Sequence, residues 1–257
     1  MTPDADESIA RAMETDVRLL PVLPSLLSDL SELGPSREQV VSTFQAVGVE
    51  PESLVLDLGC GKGAVAVALA ERLGLRVEGI DAFPPFLQSA RVLAKERGVA
   101  SRCRFRKGDI RALLGKEGQY DAVLLLSVGP VSGDYEQTIA GIRTLVRRGG
   151  HILIEDGYLA DDTAPLPGAE GYAIRSETLR RLTACGDLLV REVPSSAEEA
   201  RSLNERNTDL IRRRAHLVKT SRPDLTELID EYVARQERET RLLGTDVTCA
   251  IWVLRRV

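Results

Sequence analysis

Histidine and cysteine are scarce in this chain of 257 residues, with two of the first and four of the second. Cys60, Cys103, Cys185 and Cys249 stand far apart and form no C-x-x-C pair. That spacing offers neither a zinc site nor a disulfide framework and suits reduced thiols in a cytoplasmic setting, so no metal is expected. Cys103 and Cys249, in strand-like stretches, read as small core residues. Long apolar runs are missing too: no stretch reaches the ~18 residues that would suggest a membrane span. The N-terminus carries Asp4, Asp6 and Glu7 where a secretory signal would place basic and then apolar residues. Positive charge is also in deficit. Thirty-four Lys and Arg face 39 Asp and Glu, for a net charge of −5, a poor match for a nucleic-acid binder that relies on phosphate contacts.

The residues present describe a globular protein. Hydrophobic residues make up 43% of the chain, enough at this length for one large α/β core and a modest accessory element. From Leu54 onward, strand-like and helix-like segments alternate. Strands are expected at 54–58, 75–80, 103–107, 120–126 and 150–155, with helices starting near Ala64, Pro84, Arg111 and Tyr135. Such alternation predicts a doubly wound, mostly parallel sheet covered on both faces, with ligands at the carboxyl ends of the strands. A polar, proline-rich loop follows at 160–168, then a helix around 175–185, a strand around 187–193 and a last strand at 247–255.

Two regions lie outside this alternation. Residues 1–50 read as helical, with Ile9, Met13, Val17 and Leu20 at helical spacing. Ser36 is expected to cap the next helix, in a capping box with Gln39, and that helix carries Val40, Val41, Phe44 and Val47 and stops near Gly48. Residues 196–243 form an insertion before the last strand. One stripe holds Leu203, Leu210, Ile211, Leu217 and Val218; another holds Leu225, Leu228, Ile229, Tyr232, Val233, Leu242 and Leu243. Arg222-Pro223 marks the break between them. Arg212-Arg213-Arg214 reads as a solvated face, with Asp209 and Arg213 at i,i+4 distance. The expected division is 1–50 as a helical segment, 51–195 as the core, 196–243 as a helical insertion and 244–257 as the last core strand.

The most informative stretch is Val55-Leu56-Asp57-Leu58-Gly59-Cys60-Gly61-Lys62-Gly63-Ala64. It describes a buried strand, a glycine turn and the start of a helix, which together make a socket for a nucleotide-like ligand. Gly59-x-Gly61-x-x-Ala64 satisfies the dinucleotide fingerprint, and Asp81 follows at the expected distance of about 20 residues. Asp57 argues against that ligand, because a carboxylate directly before the loop repels a pyrophosphate and attracts an ammonium group. A ligand with an amino-acid end and a ribose end suits the turn better.

With Asp57, Gly59, Gly61 and Gly63 in the pattern (D/E)-x-G-x-G-x-G, the chain resembles the class I S-adenosylmethionine (SAM)-dependent methyltransferases. The resemblance is to the small-molecule type, similar to ubiquinone-biosynthesis methyltransferases. Further landmarks follow in order: Val77-Glu78-Gly79-Ile80-Asp81, Phe105-Arg106-Lys107-Gly108-Asp109-Ile110, Tyr120 to Leu126, and Leu145 to Glu155 around Gly149-Gly150. The match spans residues 54 to 158. It implies a Rossmann-like, seven-stranded sheet whose last strand is antiparallel beside strand five, with SAM as cofactor and S-adenosylhomocysteine as product. It also implies that the loop around Asp57, Gly59, Cys60, Gly61 and Gly63 holds the methionine end. Asp81, with Ala82 and Phe83, would take the ribose, and Asp109, with Ile110, would reach the adenine. Ser127 and Val128 would border the methyl donor. Asp109 also reads as a helix N-cap through its backbone, and Asp121 as a surface carboxylate near a strand start.

Methyl transfer from a sulfonium is an in-line displacement that depends mainly on positioning, and no catalytic triad is visible. Candidates on the acceptor side are Glu155, as a base or ammonium-binding group or else a strand-end carboxylate in solvent, and Tyr158. His216 could hang from the insertion into the pocket. Relatives place helical segments such as 1–50 and 196–243 as covers over cofactor and acceptor; the insertion also reads as a dimerisation hairpin. The implied partner is a small-molecule acceptor, with no nucleic acid and no membrane, in a monomer or homodimer. Two alternatives stay open: a SAM-binding regulatory or interaction subunit without catalysis, and a nicotinamide dehydrogenase.

Overall fold

The computed structural model describes residues 5–162 and 167–257. Asp4 and residues 163–166 of the expected 160–168 loop lie outside the described residues. Contacts within the chain group it into two units. One comprises Glu32–Asp161, Ala173–Pro194 and Cys249–Val257; the other comprises Met1–Ser31, Asp162–Tyr172 and Ser195–Thr248.

In chain order the elements are α1 (Ala5–Ala12), α2 (Leu23–Leu26), α3 (Arg37–Val47), β1 (Leu54–Leu58), α4 (Ala64–Leu73), β2 (Arg76–Asp81), α5 (Pro84–Glu96), β3 (Cys103–Lys107), β4 (Tyr120–Leu126), α6 (Tyr135–Ile142), β5 (Val146–Leu159), α7 (Arg175–Thr183), β6 (Leu188–Pro194), α8 (Ala197–Ser221), α9 (Thr226–Thr245) and β7 (Val247–Arg255).

The first unit is built on a seven-stranded sheet of order β3-β2-β1-β4-β5-β7-β6. Strands β1 to β5 pair in parallel, and β7 runs antiparallel to β6. Both faces are covered. Val55, Val77, Leu124 and Leu153 pack with Val40 and Phe44 of α3, Val67 of α4 and Leu87 of α5. Leu56, Val123, Ile154 and Trp252 pack on the other face with Ile139 of α6 and Leu182 of α7. This is the doubly wound, Rossmann-like sheet that the alternation implied.

Several local expectations are corrected. β5 starts at Val146 rather than 150 and continues to Leu159, because its first residues extend the ladder past the Gly149-Gly150 turn with a register shift opposite Tyr120 and Ala122. Ser36 occupies the N-cap of α3, but its side chain makes no capping bond. Glu32 accepts from the Arg37 N–H instead, and the Gln39 amide donates to the Val193 carbonyl. Asp121 is no free surface carboxylate. It accepts from the Leu54 N–H at 2.7 Å and from Arg147 at 2.6 Å, strapping β4 to its neighbours β1 and β5.

The second unit is helical. α8 and α9 form an antiparallel hairpin that turns through residues 223–225, at the expected Arg222-Pro223 break. Ile211, Ala215, Val218, Ile229 and Tyr232 are buried, whereas Leu217, assigned to the apolar stripe, is exposed. Asp209 pairs with Arg212 rather than Arg213, because Arg212 also reaches Glu237 at 2.8 Å across the hairpin. The helix expected through Val17 stops at Ala12. Glu14 turns left-handed at φ 46°, and Asp16 caps a separate short turn at 17–19, leaving Val17 exposed. Among the described residues, no helix is long and apolar enough to cross a membrane.

The sheet unit is tied at its C-terminal edge by Asp187, whose side chain is fully buried. Arg143 grips it with two bonds of 2.9 and 3.0 Å, and the Val257 N–H adds a third of 3.2 Å. Removing the cation leaves an uncompensated buried charge. Arg143→Leu is therefore expected to lower unfolding free energy by about 3 kcal/mol in urea titrations.

Candidate functional site

Strand alternation decides which side chains meet at the carboxyl ends of the sheet. Val55, Val77 and Leu153 face the layer of α3, α4 and α5. Residues two positions further on the same strands share that face, which puts Asp57, Gly79 and Asp81, and Glu155 there. In register, Asp57 lies beside Gly79 and Leu124, and Glu155 lies beside Leu126. Three carboxylates thus line one face along β2, β1 and β5.

Asp57 is only 3% exposed and accepts no hydrogen bond from any described residue. Burial first, and the Asp81 charge second, push its carboxyl up to about 7. Asp81 is better served. The Gly61 N–H donates to it at 2.9 Å and the Phe83 N–H at 2.8 Å. Burial still raises its pKa, against the pull of those backbone bonds. The three loop glycines have left-handed backbones. A Cβ on Gly59 would lie 2.7 Å from a Val128 methyl, and one on Gly63 would lie 2.7 Å from the Ala90 Cβ, so neither position admits a side chain. The Gly59 and Cys60 amides donate to the Ile80 carbonyl, and the Gly63 amide to the Cys60 carbonyl. A ligand would therefore meet the first turn of α4 and the loop's surface rather than these amides. Burial pushes the Cys60 thiol upward, as befits a packing residue rather than a nucleophile.

Asp109 caps the 3₁₀ turn 110–113 with its side chain, accepting from the Arg111 N–H at 2.9 Å. The turn is not an α-helix from Arg111, which corrects that expectation; the cap uses both the Asp109 side chain and its carbonyl, which accepts from the Ala112 N–H at 3.1 Å. The Arg111 guanidinium also pairs with Asp109 and holds its carboxyl below the usual carboxylate range. Ala82 and Ile110 are partly exposed, and Phe83 is buried edge-on against Phe86 at 4.9 Å.

Glu155 is 5% exposed, which overturns its reading as a carboxylate in solvent. The Ser127 hydroxyl donates to it, and the Ser127 N–H donates to its carbonyl at 3.0 Å. Burial leads in pushing the Glu155 carboxyl up to about 7, with the Ser127 bond opposing. Tyr158 does not join it. Three residues along a strand reverse the face, and Tyr158 packs on the α6–α7 side with Trp252 at 5.8 Å. His216 is exposed on α8, within the helical unit.

Sequence reasoning missed two neighbours of the loop. The Leu33 side chain lies 3.5 Å from where a Gly61 Cβ would stand, and a Cβ on Gly34 would lie 2.9 Å from the Ser127 Oγ. The only local signal was Gly34-Pro35, an ordinary turn dipeptide. It also missed that the Tyr135 hydroxyl bonds Asp156 on the opposite face, a contact that no periodicity encodes.

The methyltransferase domain family matches residues 55–150. A demethylmenaquinone methyltransferase from Thermus thermophilus is 32% identical over 151 residues, which cover 56% of this chain and 66% of that protein. Residues 55–150 are a methyltransferase domain. The match spans between 29% and 66% of the length of five curated relatives. A SAM-dependent methyltransferase from Geobacter sulfurreducens, solved with S-adenosylhomocysteine, shares the fold of the methyltransferase domain and its flanks. Its TM-score is 0.79 at 20% identity, with 92% of this chain and 98% of that one covered. A 4+2 cyclase shares it as well, with a TM-score of 0.75 at 16% identity over 99% and 97% of the two chains.

The buried Asp57 generates a pH-dependent prediction for the methyltransferase domain. Its folded pKa of about 7 lies above the unfolded value of about 3.9, so the folded state retains a proton that the unfolded state has lost. Stability associated with Asp57 is then present below about pH 4 and declines as pH rises to about 7. Asp57→Asn should match the parent near pH 4 and exceed it at pH 8 in urea melts. Parallel pH profiles would contradict this.

Proposed function

We propose that the chain binds SAM at the Asp57–Gly63 turn and transfers its methyl group to a small-molecule acceptor. The observation that carries this reading is Asp57, a buried carboxylate with no hydrogen-bond donor of its own. Such a group is costly unless a cation pairs with it. A ligand presenting an ammonium group supplies that cation; a diphosphate would add repulsion. Asp81 keeps lone pairs beyond its two amide bonds, sufficient for ribose hydroxyls. Asp109 can offer the adenine only what the Arg111 pair leaves. Ala82, Phe83, Ile110, Ser127 and Val128 border these groups and complete the proposed cofactor set, with Cys60 as packing.

SAM, when bound, supplies an electrophilic methyl carbon on a sulfonium. The protein's contribution is to hold the acceptor in line and exclude water, which in favourable geometry is worth about 7–11 kcal/mol. Of the acceptor-side candidates, Glu155 keeps a place on the face that carries Asp57 and Asp81. A buried carboxyl titrating near neutrality suits a group that takes a proton from the acceptor. Four cysteines with no disulfide among the described residues support the proposed cytoplasmic placement.

A second reading is kept because a 4+2 cyclase has the same fold: the fold alone does not fix methyl transfer. A SAM-binding subunit without transferase activity predicts binding without turnover in a methyl-acceptor screen. Calorimetric titration tests the leading reading. The parent should bind SAM and S-adenosylhomocysteine and ignore NAD, and Asp57→Ala should weaken SAM binding by roughly 30-fold, the worth of one charge-assisted bond. Equal affinity of the variant, or a parent that binds NAD alone, would overturn it.

A further inference from the structure

Ser127 is one of only three described non-glycine residues with positive φ, at 52°. An L-residue holds that conformation only where its surroundings enforce it. Here both of its donors go to one partner: the hydroxyl to the Glu155 carboxylate and the N–H, at 3.0 Å, to the Glu155 carbonyl. Gly34 packs against the back of Ser127, where a Cβ would come within 2.9 Å of its Oγ. The next residue, Val128, presses a methyl into the space that a Cβ on Gly59 would fill. Gly59 in turn holds its amide on the Ile80 carbonyl at 2.8 Å. A continuous line of contact thus runs from the end of β5, through the turn after β4, to the glycine loop after β1.

We propose that Glu155 is a positioning residue for the glycine loop: by clamping Ser127 in its left-handed turn, it keeps Val128 seated on Gly59. This deepens the proposed function, on whose donor site it rests, and is separate from any proton transfer by the same carboxylate. Without the clamp, Ser127 relaxes toward negative φ, Val128 withdraws and the loop loses its support. Glycine at 127 would need no clamp, since it adopts positive φ without penalty.

The test is a mutant cycle with two readouts. The first is hydrogen exchange of the Gly59, Cys60 and Gly63 amides in the unliganded protein; the second is calorimetric affinity for S-adenosylhomocysteine. Glu155→Ala should accelerate exchange and weaken affinity by about tenfold each, the order expected for strain at one residue. Adding Ser127→Gly to Glu155→Ala should restore both to within about threefold of the parent. A residue that merely filled the core would lower the melting temperature without being rescued by Ser127→Gly. Glu155→Gln keeps an oxygen for the Ser127 hydroxyl and should stay parent-like in both readouts, which keeps the proposal testable if the alanine variant does not fold. Parent-like exchange in Glu155→Ala, absence of rescue, or a tenfold loss in Glu155→Gln would overturn it. If the parent itself binds no S-adenosylhomocysteine, the donor reading fails, and exchange alone decides the clamp.

Discussion

A carboxylate buried without a partner is the constraint around which the carboxyl end of this sheet is arranged. Most other acids in the protein have an answer. Asp187 has Arg143, Asp121 has Arg147 and a backbone amide, and Asp109 has Arg111. Asp57 has only burial and the nearby Asp81 charge, both of which oppose its ionisation. A protein interior tolerates that at a site where a ligand completes the pairing, and perturbed carboxyls concentrate at such sites.

The sheet makes the arrangement possible. Parallel register sets Asp57 and Asp81 on adjacent strands and Glu155 two strands beyond Asp57, all facing α3 to α5. The same alternation sends Asp156 and Tyr158 to the opposite face, where Tyr135 and Trp252 meet them. One edge of the sheet therefore carries two chemically different surfaces. One is acidic; the other is aromatic, with its acid bonded to a phenol. The glycine turn belongs to the first. It is narrow because Val128 and Ala90 press where side chains would otherwise stand.

Much of this was legible in the residues. The strands at 54–58, 103–107, 120–126 and 247–255 have the bounds read from the sequence; in β1, β4 and β7 largely apolar runs between turn signals leave little freedom of register. Gly59 and Gly63 were legible for a different reason: their positive φ and their close neighbours leave no room for a side chain. What escaped was long-range. Nothing in Gly34 foretells that it packs on Ser127, ninety-three positions away in sequence. Nothing in Glu155-x-x-Tyr158 forbids a shared pocket until the segment is known to be a strand, whose period of two separates them. Ser36 and Gln39 made a plausible capping box, but Glu32 reached the helix amide first. Local patterns fix elements; competition among distant groups fixes contacts.

The central claim is that Asp57 selects a cationic amino-acid end. Its most direct test is to compare, by calorimetry on the parent protein, S-adenosylhomocysteine with the analogue that lacks the α-amino group. Loss of the ammonium should cost roughly 100-fold in affinity, the upper range for a charge-assisted bond in a buried site. Equal binding of the two ligands would contradict the account.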